Sequence, residues 1–291
     1  MVTEADSGTD LLPEDALEGK SLGISVSESS DLERLGLIED HFKLALGEIG
    51  RVVLISGGRL CYGGHLRPEG YTKFLVDELQ RYGRRDKPLK LCLAWTEHKQ
   101  MTHDEIISSK GDLGLLGEII LLDSEGCPLP AEYKNEKPEN EFEQSLREKS
   151  LTGLRDFMAM NTSARILLGG KRSGFQGVMP GLVEEALISI KQGKPLFLAG
   201  GYGGATLSII ATLYPKFAEW FPLNDATKDD DPRLSEGLEQ IREAARETGW
   251  TINVNGLTEE ENILLAATYR PSEIAALVGL GLGRMTGEID S

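Results

Sequence analysis

Three glycine-rich stretches, two of them with basic residues, are the part of this sequence best suited to binding a charged ligand. Glycine permits positive φ and lets a ligand approach the bare backbone, and a helix that follows offers unpaired N–H groups at its positive end. Lysine and arginine add charge suited to phosphate or carboxylate. We predict binding by Gly57, Gly58, Arg59, Gly63, Gly64 and His65, by Gly169, Gly170, Lys171, Arg172 and Ser173, and by Gly200, Gly201, Gly203 and Gly204.

Two adjacent glutamates, Glu184 and Glu185, follow the second stretch at the start of a predicted helix. Acidic residues in a first helical turn favour the helix dipole, which is a purely structural explanation. A functional explanation is a carboxylate that faces a ribose, either accepting hydrogen bonds from its hydroxyls or assisting departure of a base. The residues leave both explanations open.

The chain lacks the sequence motifs of several common enzyme classes. The chain has neither GxGxxG after a strand nor GxxxxGK[ST], which disfavours a Rossmann dehydrogenase and a P-loop NTPase. Ser173 has no evident His and Asp partners for a nucleophilic role. The four histidines show no metal-ligand spacing, and the run 229–231 of three aspartates is typical of an exposed acidic loop. We therefore expect no metal and no cofactor.

Aliphatic runs alternate with helical spacing along the chain. Strands are predicted at 22–26, 51–55, 89–94, 118–122, 165–168, 195–198 and 251–254, and helices at 31–48, 71–82, 141–160, 181–192, 205–213 and 235–247. Strands that are apolar throughout are typical of sheets covered on both faces. The pattern predicts an α/β, Rossmann-like fold with a mostly parallel sheet, helices on both faces and the glycine-rich loops at the carboxyl ends of strands.

The domain organisation follows from composition and from an internal similarity. Residues 1–20 are predicted to be a disordered acidic tail, and 21–291 a single α/β domain. Within it, 52–76 and 164–187 share an aliphatic run, a Gly-Gly pair, a basic residue, a further glycine cluster and a proline. Two similar halves, 21–123 and 139–291, are therefore expected on either side of a polar, proline-containing loop at 124–138. Gene duplication is one explanation of the similarity, and convergence on a shared ligand-binding geometry is another.

Charge and hydropathy exclude some partners. The chain has 291 residues, with 31 Lys and Arg against 47 Asp and Glu, and a net charge of −16. Nucleic-acid backbones are held by basic surfaces, so this balance argues against such a partner. No apolar run approaches the length of a membrane span, and the three cysteines follow no charged apolar leader. These features predict a cytoplasmic protein with no membrane partner.

The segment ARILLGGKRSGFQGVMPGLVEEALISIKQGKPLFLAGGYGGAT, with the earlier SGGRLCYGGHLRPEG, resembles the SLOG superfamily, which includes DNA-processing and Lonely-guy proteins. The resemblance covers roughly residues 21–290 and is closest to the groups found in bacterial nucleotide-centred immunity. It implies a Rossmann-like fold and a pocket for a nucleotide-derived ligand such as ADP-ribose or a cyclic ADP-ribose isomer.

The resemblance also implies two different activities. Lonely-guy enzymes cleave an N-glycosidic bond with a PGGxGTxxE motif, whereas Thoeris-type effectors sense cyclic ADP-ribose signals. Gly200 to Gly203 match GGxG, but Gly204 and Ala205 follow where the motif has Thr, and no Glu appears in the next turn. A ligand sensor that acts through a homo-oligomer or an effector protein is therefore the first hypothesis. The second is a nucleotide N-glycosidase in which Glu184 or Glu185 is catalytic, and the third is a subunit with a vestigial pocket.

Overall fold

The computed structural model describes residues 15–66, 70–82, 84–221 and 231–285. In these residues all the strands belong to one six-stranded sheet of order β4-β3-β2-β1-β5-β6, and every neighbouring pair is parallel. The strands are β1 (Ser21–Ser27), β2 (Arg59–Gly63), β3 (Leu89–Leu93), β4 (Gly117–Leu121), β5 (Ala164–Gly169) and β6 (Leu196–Ala199). The predicted α/β fold with a parallel sheet is confirmed.

Helices cover the sheet on both sides, so most residues of its strands are buried. Every residue of β5 and β6 is buried. The helices are α1 (Asp40–Ile55), α2 (Tyr71–Leu79), α3 (Trp95–His98), α4 (His103–Leu113), α5 (Gln144–Met160), α6 (Gly181–Lys191), α7 (Gly204–Leu213), α8 (Pro232–Thr248), α9 (Glu259–Ala267) and α10 (Pro271–Arg284). Side chains of α1, α2, α4 and α10 share one core cluster, while α6, α7 and α8 share another.

The strand predicted at 51–55 is wrong, because these residues form the last turns of α1. A short apolar run can be buried in a helix as well as in a strand, and periodicity does not separate the two. Within α1, Val53 and Leu54 are buried whereas Ile55 is exposed. The second strand is instead β2, which lies inside the stretch predicted to be the first glycine loop. The segments 52–76 and 164–187 therefore begin with different structures, a helix and a strand.

Other elements also differ from the predictions. The segment 251–254 is not a strand, because Ile252–Asn255 form a 3-10 turn that the Asn255 side chain fixes by donating to the Leu196 carbonyl oxygen at 2.9 Å. The helix predicted at 31–48 begins at Asp40, since turns occupy 30–36. Helices α3, α4, α9 and α10 were not among the predicted elements.

The packed structure begins earlier in the chain than predicted. Most of the predicted acidic tail lies outside the described residues, as do Asp229 and Asp230 of the aspartate run. Leu17, however, is fully buried and donates its backbone N–H to Ser56 at 2.7 Å, so the packed structure begins before residue 21. The burial of one leucine in the core outweighs the polar composition around it.

Candidate ligand-binding site

The order of the strands marks the position where a ligand can enter. β1 is paired with β2 on one side and with β5 on the other, so the strand order runs from β1 to β4 in one direction and continues from β5 to β6 in the other. In open α/β sheets ligands bind outside the carboxyl ends of strands at such a switch point. At this edge lie the segment after β1, the Gly169–Gly174 stretch after β5 and the Gly200–Gly204 stretch after β6.

Backbone hydrogen bonds join these three segments into one unit. The N–H of Gly170 donates to the Ser27 carbonyl oxygen at 3.0 Å, and the N–H of Ala205 donates to the Gly170 carbonyl oxygen at 2.9 Å. Gly169 has φ +66°, and a Cβ there would lie 2.7 Å from the Ser27 oxygen. Glycine is therefore required for the loop after β5 to pass this close to the end of β1.

An internal ion pair occupies the centre of this unit. The Asp31 carboxylate accepts from the Arg172 guanidinium at 2.7 Å and, through its other oxygen, from the Gly204 N–H at 2.7 Å. The Asp31 and Arg172 side chains are 2% and 5% exposed. Because the first N–H of α7 already binds a carboxylate, this helix start and Arg172 hold the loops together. Ser30 also accepts from Arg172, at 3.2 Å.

The outer rim of the same loops is open to solvent. Lys171 is half-exposed, and its ammonium group lies 3.1 Å from the exposed Glu28 carboxylate. Its backbone N–H donates to Ser27 Oγ at 3.3 Å. Ser173 and Gly174 next to it are exposed as well. The rim thus exposes a cation, a hydroxyl and backbone groups above the buried Asp31–Arg172 pair.

The third glycine stretch is buried. Gly200, Gly201, Gly203 and Gly204 all lie beneath the surface, where a Cβ on Gly201 would come 2.0 Å from the Thr268 carbonyl oxygen. The enclosed Tyr202 hydroxyl donates to the Tyr269 carbonyl oxygen at 3.0 Å. These glycines allow the end of β6 to pack against the segment after α9.

The first glycine stretch is divided between opposite edges of the sheet. Gly57, Gly58 and Arg59 precede β2 or begin it, so they lie at the amino edge, where Arg59 is 3.6 Å from Asp86. The structure does not bring them to the other predicted residues. Gly63, Gly64 and His65 end or follow β2 and lie at the carboxyl edge, and His65 borders a cavity of about 490 Å³.

The two glutamates lie under the second loop in a buried ionic network. Glu184 is bound by Arg155 and by the Thr152 hydroxyl. Glu185 accepts from Arg165 at 2.9 Å and lies 3.7 Å from Arg155. Two carboxylates and two guanidinium groups balance within this network, so burial of the charges is compensated.

This network reaches both the sheet and the glycine loop. A Cβ on Gly177 would lie 2.9 Å from an Arg155 nitrogen, so the loop backbone rests on that guanidinium. On the sheet side, Arg165 donates to Ser25 Oγ at 3.0 Å. Burial raises the pKa of the Tyr62 hydroxyl, and the nearby Glu185 carboxylate adds to the increase.

Asp31, Arg155 and Arg165 were missed by the sequence reasoning, although two of them carry a signal. Arg165 is a charged residue within the apolar run of β5, and such a residue needs a buried partner. Asp31 ends the polar run Glu28-Ser29-Ser30-Asp31 directly after β1, at the edge where loops meet. Arg155 sits in a helix of mixed composition, and nothing in its surroundings distinguishes it.

A comparison with protein families agrees with this architecture. The family model described as SLOG cluster2 matches residues 16–265, which is most of the chain. The chain belongs to the SLOG superfamily. This membership indicates a nucleotide-related function. A search of curated proteins found no match to the chain.

The described residues contain neither a membrane-spanning helix nor a metal-binding cluster. No helix in this part of the SLOG chain is long and apolar enough to cross a membrane. Within the same residues, no group of three or more His, Cys, Asp and Glu side chains is arranged to hold a metal ion.

Proposed function

We propose that this SLOG protein binds a nucleotide-derived ligand, such as ADP-ribose or a cyclic ADP-ribose isomer, at the carboxyl edge of its sheet and acts as a sensor. The observation that carries the proposal is the switch point at β1, beside a glycine loop with an exposed cation. The ligand's phosphates would lie against Lys171 and the loop backbone around Ser173 and Gly174. The net charge of −16 makes this local cation more important for attracting an anion.

The burial of Glu184 and Glu185 and their pairing with arginines support ligand binding rather than ligand hydrolysis. An N-glycosidase needs a carboxylate able to stabilise positive charge on the ribose as the base departs. Glu184 is 5% exposed and Glu185 is 16% exposed, and arginines neutralise both. Neither is presented to solvent in the form that such catalysis requires.

Calorimetry combined with chromatography tests the proposal. ADP-ribose, cyclic ADP-ribose isomers, NAD and AMP are titrated into the chain, and the same mixtures are then analysed for breakdown. A sensor gives stoichiometric binding with intact ligand. Absence of both binding and turnover at roughly millimolar ligand would refute the proposal.

A single lysine locates the site. Lys171→Ala should weaken binding roughly fivefold, as expected for removal of a half-exposed charge worth about 1 kcal/mol. Lys216→Ala is the matched control, because Lys216 is an exposed lysine beyond the carboxyl end of α7. Equal dissociation constants for both variants would remove Lys171 from the site.

The second candidate, a nucleotide N-glycosidase, has one observation in its favour. A Cβ on Gly177 would lie 3.4 Å from a Glu184 carboxylate oxygen, so this carboxylate lies directly under the loop. Under this alternative, Glu184→Gln or Glu185→Gln abolishes the release of nicotinamide or adenine and leaves the circular dichroism of the fold unchanged. The sensor shows no such release in any variant.

For a sensor, binding must shift an equilibrium between two states. We propose that the shift occurs in a homo-oligomer or in a complex with an effector protein, as part of bacterial anti-phage signalling. Light scattering with and without ADP-ribose, on the chain alone and with the product of a neighbouring gene, tests this step. An unchanged mass in every case counts against an assembly-based response.

A further inference from the structure

A cavity among the described residues lies at the amino edge of the sheet, opposite the proposed ligand site. It has a volume of about 930 Å³ and is bordered by the starts of β1, β5 and β6 and by the end of α10. Its lining includes Lys20, Lys194 and Arg284, and no Asp or Glu belongs to the described residues that line it. That composition is unusual in a chain with 47 acidic and 31 basic residues.

Two of the three cations, Lys20 and Lys194, donate to backbone carbonyl oxygens. Lys20 donates from its ammonium group to the Met285 carbonyl oxygen at 2.8 Å, and Lys194 donates to the Thr162 carbonyl oxygen at 3.2 Å. Among the described residues, neither forms an ion pair with Asp or Glu. Arg284 differs, because Glu261 accepts from its guanidinium at 2.7 Å.

Helix ends explain part of this arrangement. α5, α6 and α10 all end at this edge, and the carbonyl groups of a last helical turn attract cations. An ammonium group has three N–H donors, however, and each lysine uses one on a carbonyl. Each lysine therefore keeps donors and most of its charge for a ligand in the cavity.

The spacing of the lysines indicates the size of the ligand. Lys20 precedes β1 and Lys194 precedes β6, with β5 between these strands. Two strand spacings separate the backbones by about 10 Å, and a lysine side chain spans much of that distance from each side. A ligand with two adjacent anionic groups can therefore contact both ammonium groups. Hydroxyls at Thr162 and Ser163 lie on the same wall.

We propose that this cavity is a second ligand site, which binds a diphosphate group between Lys20 and Lys194. It is separate from the nucleotide site at the carboxyl edge and does not depend on that proposal. Because the cations are partly exposed, the affinity should fall as the salt concentration rises.

Titration of the full chain with inorganic pyrophosphate, followed by NMR of backbone amides and by calorimetry, tests this site. Chemical-shift changes are expected at the backbone amides of 161–163 and 192–194. The Lys20→Gln/Lys194→Gln variant should bind pyrophosphate at least about tenfold more weakly, through loss of two charge-assisted contacts. Lys137→Gln, at an exposed lysine of the 124–138 loop, should bind as the parent does. Inorganic phosphate should bind more weakly than pyrophosphate.

Several results would overturn the proposal. One is that the double variant and the parent bind pyrophosphate with equal affinity. Another is that the parent binds phosphate and pyrophosphate equally well. A third is that the chemical-shift changes are confined to 170–174. Weakening in Lys171→Gln alone also overturns it, because the anion would then bind at the carboxyl edge. If the double variant fails to fold, Lys20→Arg/Lys194→Arg keeps both charges and must retain binding. The double variant should still bind ADP-ribose, so that failure of the diphosphate site can be distinguished from failure of the nucleotide site.

Discussion

Replacement of Asp31 by alanine should be among the most damaging single changes at the ligand-binding edge. The substitution removes the carboxylate that accepts from the buried Arg172 guanidinium and from the Gly204 N–H, each at 2.7 Å. Loss of one partner from a buried ion pair costs about 3–5 kcal/mol. Whole domains are stable by only about 5–15 kcal/mol, so the variant should be close to unfolding.

Urea denaturation followed by circular dichroism measures this loss, with the slope m compared between variants to detect any change in the unfolded state. Glu28→Ala is the matched control, since Glu28 pairs with Lys171 at the surface, where such pairs are worth about 0–1 kcal/mol. The Asp31→Ala/Arg172→Met variant replaces the pair with apolar groups and should recover much of the stability.

A clear result would refute this reasoning. If Asp31→Ala costs no more than Glu28→Ala, the buried pair does not hold the loops together. The same conclusion follows if the double variant is less stable than Asp31→Ala by the full cost of a second independent substitution, because residues in one network should not behave additively.

Three further predictions concern Gly203, His98 and the cysteines. Gly203→Ala forces a Cβ to 2.5 Å from Asp31 at φ +70°, so urea should unfold it more easily than Gly174→Ala, which has φ +67° and nothing within 4 Å. Burial lowers the pKa of His98 below 6.5, so the unfolded chain protonates first and stability should fall as pH drops through 6.5, an effect absent in His98→Gln. Only the exposed Cys127 should react rapidly with a thiol reagent; rapid reaction of the two buried cysteines would contradict their packing.

Strands that are apolar on both faces were predictable from sequence, because a strand buried between two helical layers contains few polar residues. β1, β3, β4, β5 and β6 were each predicted within a residue or two. The same rule failed at 51–55, since a helix that buries Val53 and Leu54 in its last turn contains an equally apolar run. That error displaced the second strand and, with it, half of the first glycine stretch.

The second glycine loop was found from sequence, and Lys171 and Ser173 do lie at the carboxyl edge. Its neighbour Arg172 has another role, because the side chain turns inward to Asp31, which is 141 residues away along the chain. Which basic side chain faces solvent and which is buried depends on the partner supplied by another loop. The sequence of the loop alone does not show which of its basic side chains is buried.

By itself, the sequence determined the layered α/β fold, the positions of most strands and the presence of glycine loops at the carboxyl edge, because these follow from local composition and periodicity. Only the tertiary structure decided that Asp31 closes the start of α7, that Arg155 and Arg165 neutralise Glu184 and Glu185, and that Lys20 and Lys194 border one cavity. Each depends on the order of strands in the sheet, which brings together residues far apart in the chain.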